Sequence, residues 1–577
     1  MRRPVIAIVL LAIVLLAGSA APPAAAAPQV PAGGRVSVSS TEVQANGESF
    51  LLDYSDNGRF VLFGSEATNL VAGDSNDSAD LFVRDTVAGT TQRVSVGNGG
   101  VQADDDSFSG SISDDGRFVA FSSGASNLYA GDTLDETDVF VRDRTLGTTE
   151  VLSVGVGGVE ANGGSFEPAI SGDGTKVSFA STATNLIAGD TLGFTDVFLR
   201  DLTGDTTERV SISATEGEAN GDSRDSEIDQ DGNVVVFLTE ASNLIGANDT
   251  NGFRDAYARQ LATDTTIRVS VGVGGVQGDG DTSGVHVSDT GSKFAFQSDA
   301  DNFVPDDGNG QRDVFARSIL LGGTVERVSV DTAGADLDED AFVSDVSSDG
   351  DRVVFETSAP DVGGGGSGGV ARDVLVRDIV GDTTTAMSRR TGVVSNGLSS
   401  GGAIADDGRV AFDSAATNLV AGDTNGVNDA FLSGEVCDGQ VVNVDLNKGQ
   451  VPTGLADVIL GTPGPDTVNA LGGNDRFCGA GGNDVFRGGT GNDRAFGGPG
   501  VDTLRGEDGT DRLDGAADND KLFGGNQADV LVGVSGADLL EGGNGNDTLN
   551  GGTQADTCRG QVGTDTAVAC EAVTGVP

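Results

Sequence analysis

An aspartate returns every ninth residue through the last quarter of the chain, at Asp457, Asp466, Asp475, Asp484, Asp493, Asp502, Asp511, Asp520, Asp529, Asp538, Asp547, Asp556 and Asp565. Two residues after each stands a mostly apolar side chain: Ile459, Val468, Phe477, Phe486 and Ala495, then six leucines from Leu504 to Leu549, then Cys558 and Ala567. Glycine usually follows four residues after the aspartate, as at Gly479, Gly488, Gly497, Gly506 and Gly542. The fullest units are Gly488 to Phe496 (GGTGNDRAF), Gly497 to Arg505 (GGPGVDTLR) and Gly542 to Asn550 (GGNGNDTLN). Carboxylates in fixed phase with glycine-rich turns suit a hard divalent cation. Calcium takes roughly six to eight oxygens in a flexible shell of carboxylates and carbonyls, whereas magnesium insists on octahedral geometry. Glycine exposes its carbonyl without a Cβ in the way. A flexible Gly/Asp-rich tail is the plainer alternative, but such a tail has no reason to keep phase over thirteen units.

The unit resembles the calcium-binding nonapeptide G-G-x-G-x-D-x-U-x of the repeats-in-toxin (RTX) family, over about Pro452 to Val568. The resemblance implies a parallel β-roll in which two nonapeptides make one turn and loops eighteen residues apart stack. Asp457, Asp475, Asp493, Asp511, Asp529, Asp547 and Asp565 would then line one edge, and Asp466, Asp484, Asp502, Asp520, Asp538 and Asp556 the other. Ligands to several calcium ions are expected from Asp466 onward, together with Gly479, Gly482, Gly488, Gly489, Gly491, Gly497, Gly498, Gly500, Gly506, Gly542, Gly543 and Gly545. Turns stacked about 4.8 Å apart put neighbouring carboxylates at a mutual repulsion of ~1 kcal/mol in water and up to ~3 kcal/mol at a protein surface. Without cations the roll should not hold. The ladder has flaws: Asp518, Gln527 and Gln554 take glycine positions, and Ala470 and Leu471 stand where two glycines belong.

The elements that carry the ladder must be strands, and composition agrees. The chain of 577 residues has 90 glycines and 5% aromatics, which points to turn-rich all-β structure in two or three domains. A net charge of −54 excludes a nucleic-acid binder, since phosphates would be repelled, and no basic or amphipathic patch suits an anionic membrane. Arg2 and Arg3 precede an apolar run from Val5 to Ala17 and an Ala24-Ala25-Ala26 site, so residues 1–27 read as a secretory signal. An exported, soluble, monomeric protein without a transmembrane anchor is expected. Cys437, Cys478, Cys558 and Cys570 lie in or beside the repeats and allow three pairings. Cys437–Cys478 with Cys558–Cys570 is favoured, because each bond would clamp one end of the roll.

A second period of 56 to 60 residues runs from Arg35 to Gly434. Its mark is D-x-F-x-R-D, seen at Asp80 (DLFVRD), Asp138 (DVFVRD), Asp196 (DVFLRD), Asp255 (DAYARQ), Asp313 (DVFARS), Asp373 (DVLVRD) and Asp429 (DAFLSG). A D-G turn and an apolar strand precede each, as in SDDGRFVAFS from Ser113 to Ser122. A T-T-x-R-V-S-type strand follows the first six; the seventh copy lacks it, while an unmatched RVSV stands at Arg35 to Val38. Four short strands per repeat make a propeller blade. Seven blades closed by the N-terminal strand account for both ends and remove the open sheet edge. The S-x-D-G turns before apolar strands resemble TolB-like propeller repeats. The layout expected is a propeller over 35–434, a linker and cap over 435–454 with Val442, Val444 and Leu446 alternating as a strand, and the roll over 455–577.

Other chemistry is sparse. Each blade carries an insertion such as D-x-N-x-x-x-D at Asp74, Asn76 and Asp80, which reads either as a self-bonded turn or as an extra calcium loop. The string GGSGG at Gly365 to Gly369 lacks the strand–turn–helix setting of a nucleophile elbow. His286, the only histidine, stands where the second repeat has Ser111 and reads as a neutral replacement, and no blade-specific departures gather in the channel. No catalytic residue is assigned. Two functions follow as expectations: an exported calcium-binding protein whose propeller is a platform for a protein or cell-surface partner, or a secreted hydrolase with a glycosidase-like carboxylate pair in the propeller and a calcium-dependent folding domain.

Overall fold

The computed structural model describes residues 34–575 apart from 135, 214, 246–248, 306, 320–322, 332–333, 360–361, 363–371, 389–394, 407, 421–422, 434–435, 438–439, 443, 447–449 and 463. The expected leader and the GGSGG string lie outside the described residues.

Apolar runs of about six residues between Gly-containing turns have only one economical fate, a short strand with its neighbour folded back beside it. In the first blade Ser49–Tyr54, Phe60–Ser65, Asp80–Asp85 and Thr90–Arg93 pair in that order as an antiparallel meander. The turn between the first two places Gly58 at φ 69°, which a side chain would resist. The same order recurs in five further four-stranded sheets, and the seventh sheet has three strands of its own, Ser399–Ile404, Val410–Ser414 and Asp429–Leu432. Its fourth side is the N-terminal segment: Arg35 bridges Phe431, the Val36 N–H donates to the Ala430 carbonyl at 2.8 Å, and the Leu432 N–H donates to Gly34 at 3.0 Å. The ring is closed, as the unmatched RVSV required.

One apolar cluster fills each of the seven junctions between neighbouring blades. The phenylalanine of D-x-F-x-R-D stacks on one from the strand before it, as in Phe63 with Phe82 at 5.7 Å and Phe121 with Phe140 at 5.5 Å. The first aspartate of that motif is buried against the serine of R-V-S: Ser95 Oγ donates to Asp80 Oδ1 at 2.6 Å, and Ser37 to Asp429 at 2.7 Å across the closure.

From residue 444 onward the chain coils. Strands eighteen residues apart pair in parallel, for example Arg476–Cys478 between Val458–Leu460 and Arg494–Phe496, giving parallel sheets of eight and seven strands. The apolar residue two places after each aspartate points inward, so Ile459, Val468, Phe477, Phe486, Ala495, the leucines and Cys558 form one continuous file of buried side chains. Each buried leucine contributes about 2 kcal/mol of transfer free energy. Val444–Asp445 pairs with Val458–Leu460 and covers the first coil. Disulfides join Cys437 to Cys478 and Cys558 to Cys570.

Candidate metal centre

The coil geometry sorts the aspartates into two columns, and hydrogen bonds fix each member. Oδ1 of Asp475 accepts the backbone N–H of Asp457, eighteen residues earlier, at 2.8 Å. Asp493, Asp511, Asp529, Asp547 and Asp565 repeat this along one edge at 2.8–3.0 Å. Asp484, Asp502, Asp520, Asp538 and Asp556 repeat it along the other, and Glu571 ends that column on the Asp556 N–H at 2.7 Å. One carboxylate oxygen is thus consumed by the fold itself. The other, Oδ2, is buried and has no hydrogen-bond partner among the described residues in all eleven aspartates from Asp475 to Asp565.

Such an arrangement is costly for a chain alone. Burial lifts the carboxyls above their ordinary value of 3.8, with the backbone hydrogen bond pulling back and neighbouring carboxylates adding to the rise. Asp475, Asp511 and Asp529 reach about 7 and Asp520 about 8, while Asp484 and Asp493 reach about 6. Asp502, Asp538 and Asp547 are raised in the same way.

The glycines explain where a cation would sit. At the first nonapeptide position, a Cβ on Gly479, Gly488, Gly497, Gly506 or Gly542 would collide with Oδ2 of the aspartate five residues on. Over Gly479 the Gly497 carbonyl of the next coil converges on the same spot as Asp484 Oδ2, and over Gly524 the Gly542 carbonyl meets Asp529 Oδ2. The second and fourth positions need positive φ: Gly489, Gly498 and Gly543 take 104°, 90° and 107°, and Gly482, Gly491, Gly500 and Gly545 take 107°, 132°, 136° and 156°. A Cβ at Gly491, Gly500 or Gly545 would also strike a carbonyl of the coil below. Carboxylate oxygens without a partner, close to backbone carbonyls and with no nitrogen or sulfur donor, fit calcium.

The flawed units keep the same backbone. Asp518, Gln527 and Gln554 hold φ of 77°, 74° and 79° without being glycine, a strain of about 1–3 kcal/mol each. Gln527 and Gln554 each accept a backbone N–H of the coil below, from Gly509 and Gly536 at 2.9 Å. Asp466 stands apart from the other expected ligands. Its Oδ2 accepts the Thr462 N–H at 2.6 Å, and the Thr462 hydroxyl reaches both of its oxygens.

The acidic loops of the blades are satisfied differently. Arg93, the arginine of T-T-x-R-V-S, reaches Asp74 at 3.3 Å and Asp80 at 3.0 Å. Arg209 meets Asp190, Asp196 and Glu218, Arg268 meets Asp249 and Asp255, and Arg327 meets Asp307 and Asp336. Across the closure Arg35 reaches Asp423 and Asp429, both at 3.2 Å. In these five loops a guanidinium stands among the carboxylates, and Asn76 bonds back to Asp80 and Ala103 as a turn residue.

One sequence reading is corrected. The inner strands present equivalent residues to the channel at Asp53, Ser111, Ala169, Glu227, His286, Asp345 and Ala403, and three consecutive blades place Glu227, His286 and Asp345 together. One ligand atom from each lies within 4.8 Å of the others. His286 Nδ1 lies 3.3 Å from Glu227 Oε1. Burial alone would lower the imidazole, but the Glu227 carboxylate and then Asp345 outweigh it and hold it at about 9. His286 is no neutral replacement. The signal was the spacing, 59 residues from Glu227 to His286 and 59 again to Asp345 (286 − 227 and 345 − 286).

Residues 453–567 match the RTX calcium-binding nonapeptide repeat (4 copies) in six overlapping segments, 453–486, 479–513, 487–522, 496–531, 523–558 and 532–567. No curated protein matches the chain. Among solved structures, TolB from Acinetobacter baumannii is similar at 16% identity, over 59% of this chain and 62% of its own, with a TM-score of 0.31. An oligogalacturonate lyase from Vibrio parahaemolyticus is similar at 12% identity over 71% and 92%, with a TM-score of 0.40. The β-propeller domain of the Trilobed protease from Pyrococcus furiosus is similar at 13% over 53% and 77%, with a TM-score of 0.34. The chain is a seven-bladed β-propeller followed by a parallel β-roll, and the roll carries the match to the RTX calcium-binding repeat. Among the described residues no helix is long and apolar enough to cross a membrane.

Proposed function

We propose that the protein is exported and acts as a calcium-binding protein whose C-terminal roll folds around several calcium ions, while the propeller serves as a platform for a protein or cell-surface partner. Residues 1–27 are the leader, 35–434 the platform, 435–454 the linker and cap, and 455–577 the roll. One observation carries the calcium reading: eleven buried Oδ2 atoms stand in two files without a partner. A buried, unpaired carboxylate costs several kcal/mol, and bound calcium supplies the charge and the oxygen-coordinating shell that the chain does not. Asp475, Asp484, Asp493, Asp502, Asp511, Asp520, Asp529, Asp538, Asp547, Asp556 and Asp565 would hold it with the neighbouring glycine carbonyls; Asp466 is the weakest candidate, because Thr462 already engages both its oxygens. The platform reading rests on a ring closed by its N-terminal segment, five of whose acidic loops are held from within by arginine.

Limited proteolysis of the full chain, with the cuts mapped by mass spectrometry, tests this. In chelator the cuts should fall beyond residue 450 and leave 34–434 intact, and calcium should abolish them. Equal protection of the roll in chelator, with no calcium found by elemental analysis, would overturn the proposal.

A further inference from the structure

We propose that Glu227, His286 and Asp345 form a second metal site, in the propeller channel, which takes a divalent transition ion of the Mn2+ or Zn2+ class. This goes beyond calcium binding by the roll and does not depend on it. The site lies on a cavity of about 560 Å3 at the inner strands, and no lysine or arginine is among its lining residues. Asp225 and Glu356, the latter held by Arg372 at 3.0 Å, also line it, and the remaining acids come in two tiers. Asp53 shares the rung of Glu227 and Asp345, and Asp56, Asp114 and Asp289 stand three residues further along their own blades at the turns. Five of the blade loops each gather a guanidinium, whereas these carboxylates share one imidazole.

The carboxylates are aimed. Glu227 Oε2 accepts the Val287 N–H of the next blade at 2.8 Å, and Asp345 accepts with both oxygens, Oδ2 from the Ile404 N–H at 2.8 Å and Oδ1 from the Val346 N–H at 2.7 Å. Each is therefore fixed in orientation by an oxygen bonded to the neighbouring inner strand, which is how ligands are pre-set by their supporting hydrogen bonds. His286 and Glu227 remain part-exposed, at 24% and 31%, to the water of the channel, so an ion has a route in. One imidazole and two carboxylates on rigid strands form a three-ligand set open on one side. The nitrogen donor separates this set from the all-oxygen roll: imidazole suits zinc and other transition ions, carboxylate suits manganese and magnesium, and calcium prefers oxygen alone. The open positions face the cavity and would be filled by water or a neutral hydroxyl donor, since the surrounding acids repel an anion.

The chain has a single histidine, so in untagged protein any imidazole bound to a metal is His286. Full-length protein held in excess calcium, to saturate the roll, is titrated with Mn2+ and followed by continuous-wave and pulsed electron paramagnetic resonance. One ion per chain should bind with the nitrogen modulation of a coordinated imidazole. His286→Ser, the residue that Ser111 supplies at the same place in the second blade, should weaken binding by at least about 100-fold and remove the modulation. Asp345→Asn should weaken it similarly while keeping the propeller's circular dichroism, which guards against a folding defect in the serine variant. Binding without nitrogen modulation, affinity unchanged in either variant, or no uptake at all would overturn the proposal; in the last case a protonated His286 is itself the cation between the two carboxylates.

Discussion

The propeller and the roll both place aspartates at every repeat, and they neutralise them by opposite means. In a blade, Asp74 and Asp80 converge on Arg93, which the fourth strand of the same sheet delivers. In the roll, Asp493 gives one oxygen to the Asp475 N–H and leaves the other buried without a partner. The difference follows from strand order. An antiparallel meander brings a different strand, with different residues, beside the acidic loop. A parallel coil brings the same position of the repeat beside itself, so like sits on like. A basic residue cannot serve a stack of identical aspartates without interrupting their sequence; a small external cation can.

Three changes sharpen that contrast. The largest effect is expected from Arg93→Ala, which leaves Asp74 and Asp80 buried without their cation. Breaking such a pair costs about 3–5 kcal/mol, so the propeller's thermal unfolding should fall markedly while calcium uptake by the roll stays unchanged. Rescue of the variant by calcium would mean that the blade loop is itself a cation site. Next is Asp493→Asn with Asp511→Asn. Asparagine can keep the Oδ1 bond to the backbone N–H and removes only the charge, so the coil should persist. Calcium affinity on that edge should fall about tenfold or more, in keeping with the dependence of such sites on ligand charge, by isothermal titration calorimetry. Unchanged affinity would make those carboxylates structural.

The smallest effect is on pH, in chelator. The raised carboxyls, about 6 for Asp493, 7 for Asp511 and 8 for Asp520 against an ordinary 3.8, favour the protonated form in the folded roll. Their stabilising contribution is complete below about pH 4 and is lost as pH rises through 6 to 8. The calcium-free roll should therefore be more compact at pH 5 than at pH 8 by size-exclusion radius.

Much of this was legible because repetition amplifies weak signals. The nine-residue phase with an inward apolar residue gives the coil, and an unmatched Arg35 to Val38 gives the closure. Two things were not. That Arg93 reaches Asp74 depends on which strand lies beside the loop, a matter of pairing and not of local sequence. Glu227, His286 and Asp345 occupy a rung that the other blades fill with aspartate, serine or alanine, so each looks like drift when read alone. Only the ring makes them neighbours.

The closure has a consequence for how the molecule is made. Ser37 and Asp429 meet across 392 residues of sequence, so the seventh sheet stays incomplete until nearly the whole propeller has emerged. Contacts this distant form late and slowly. Until then the N-terminal segment from Arg35 to Val38 waits without its partner, open to pairing with any strand nearby. Completion of the ring therefore waits on the beginning of the chain, kept free to return.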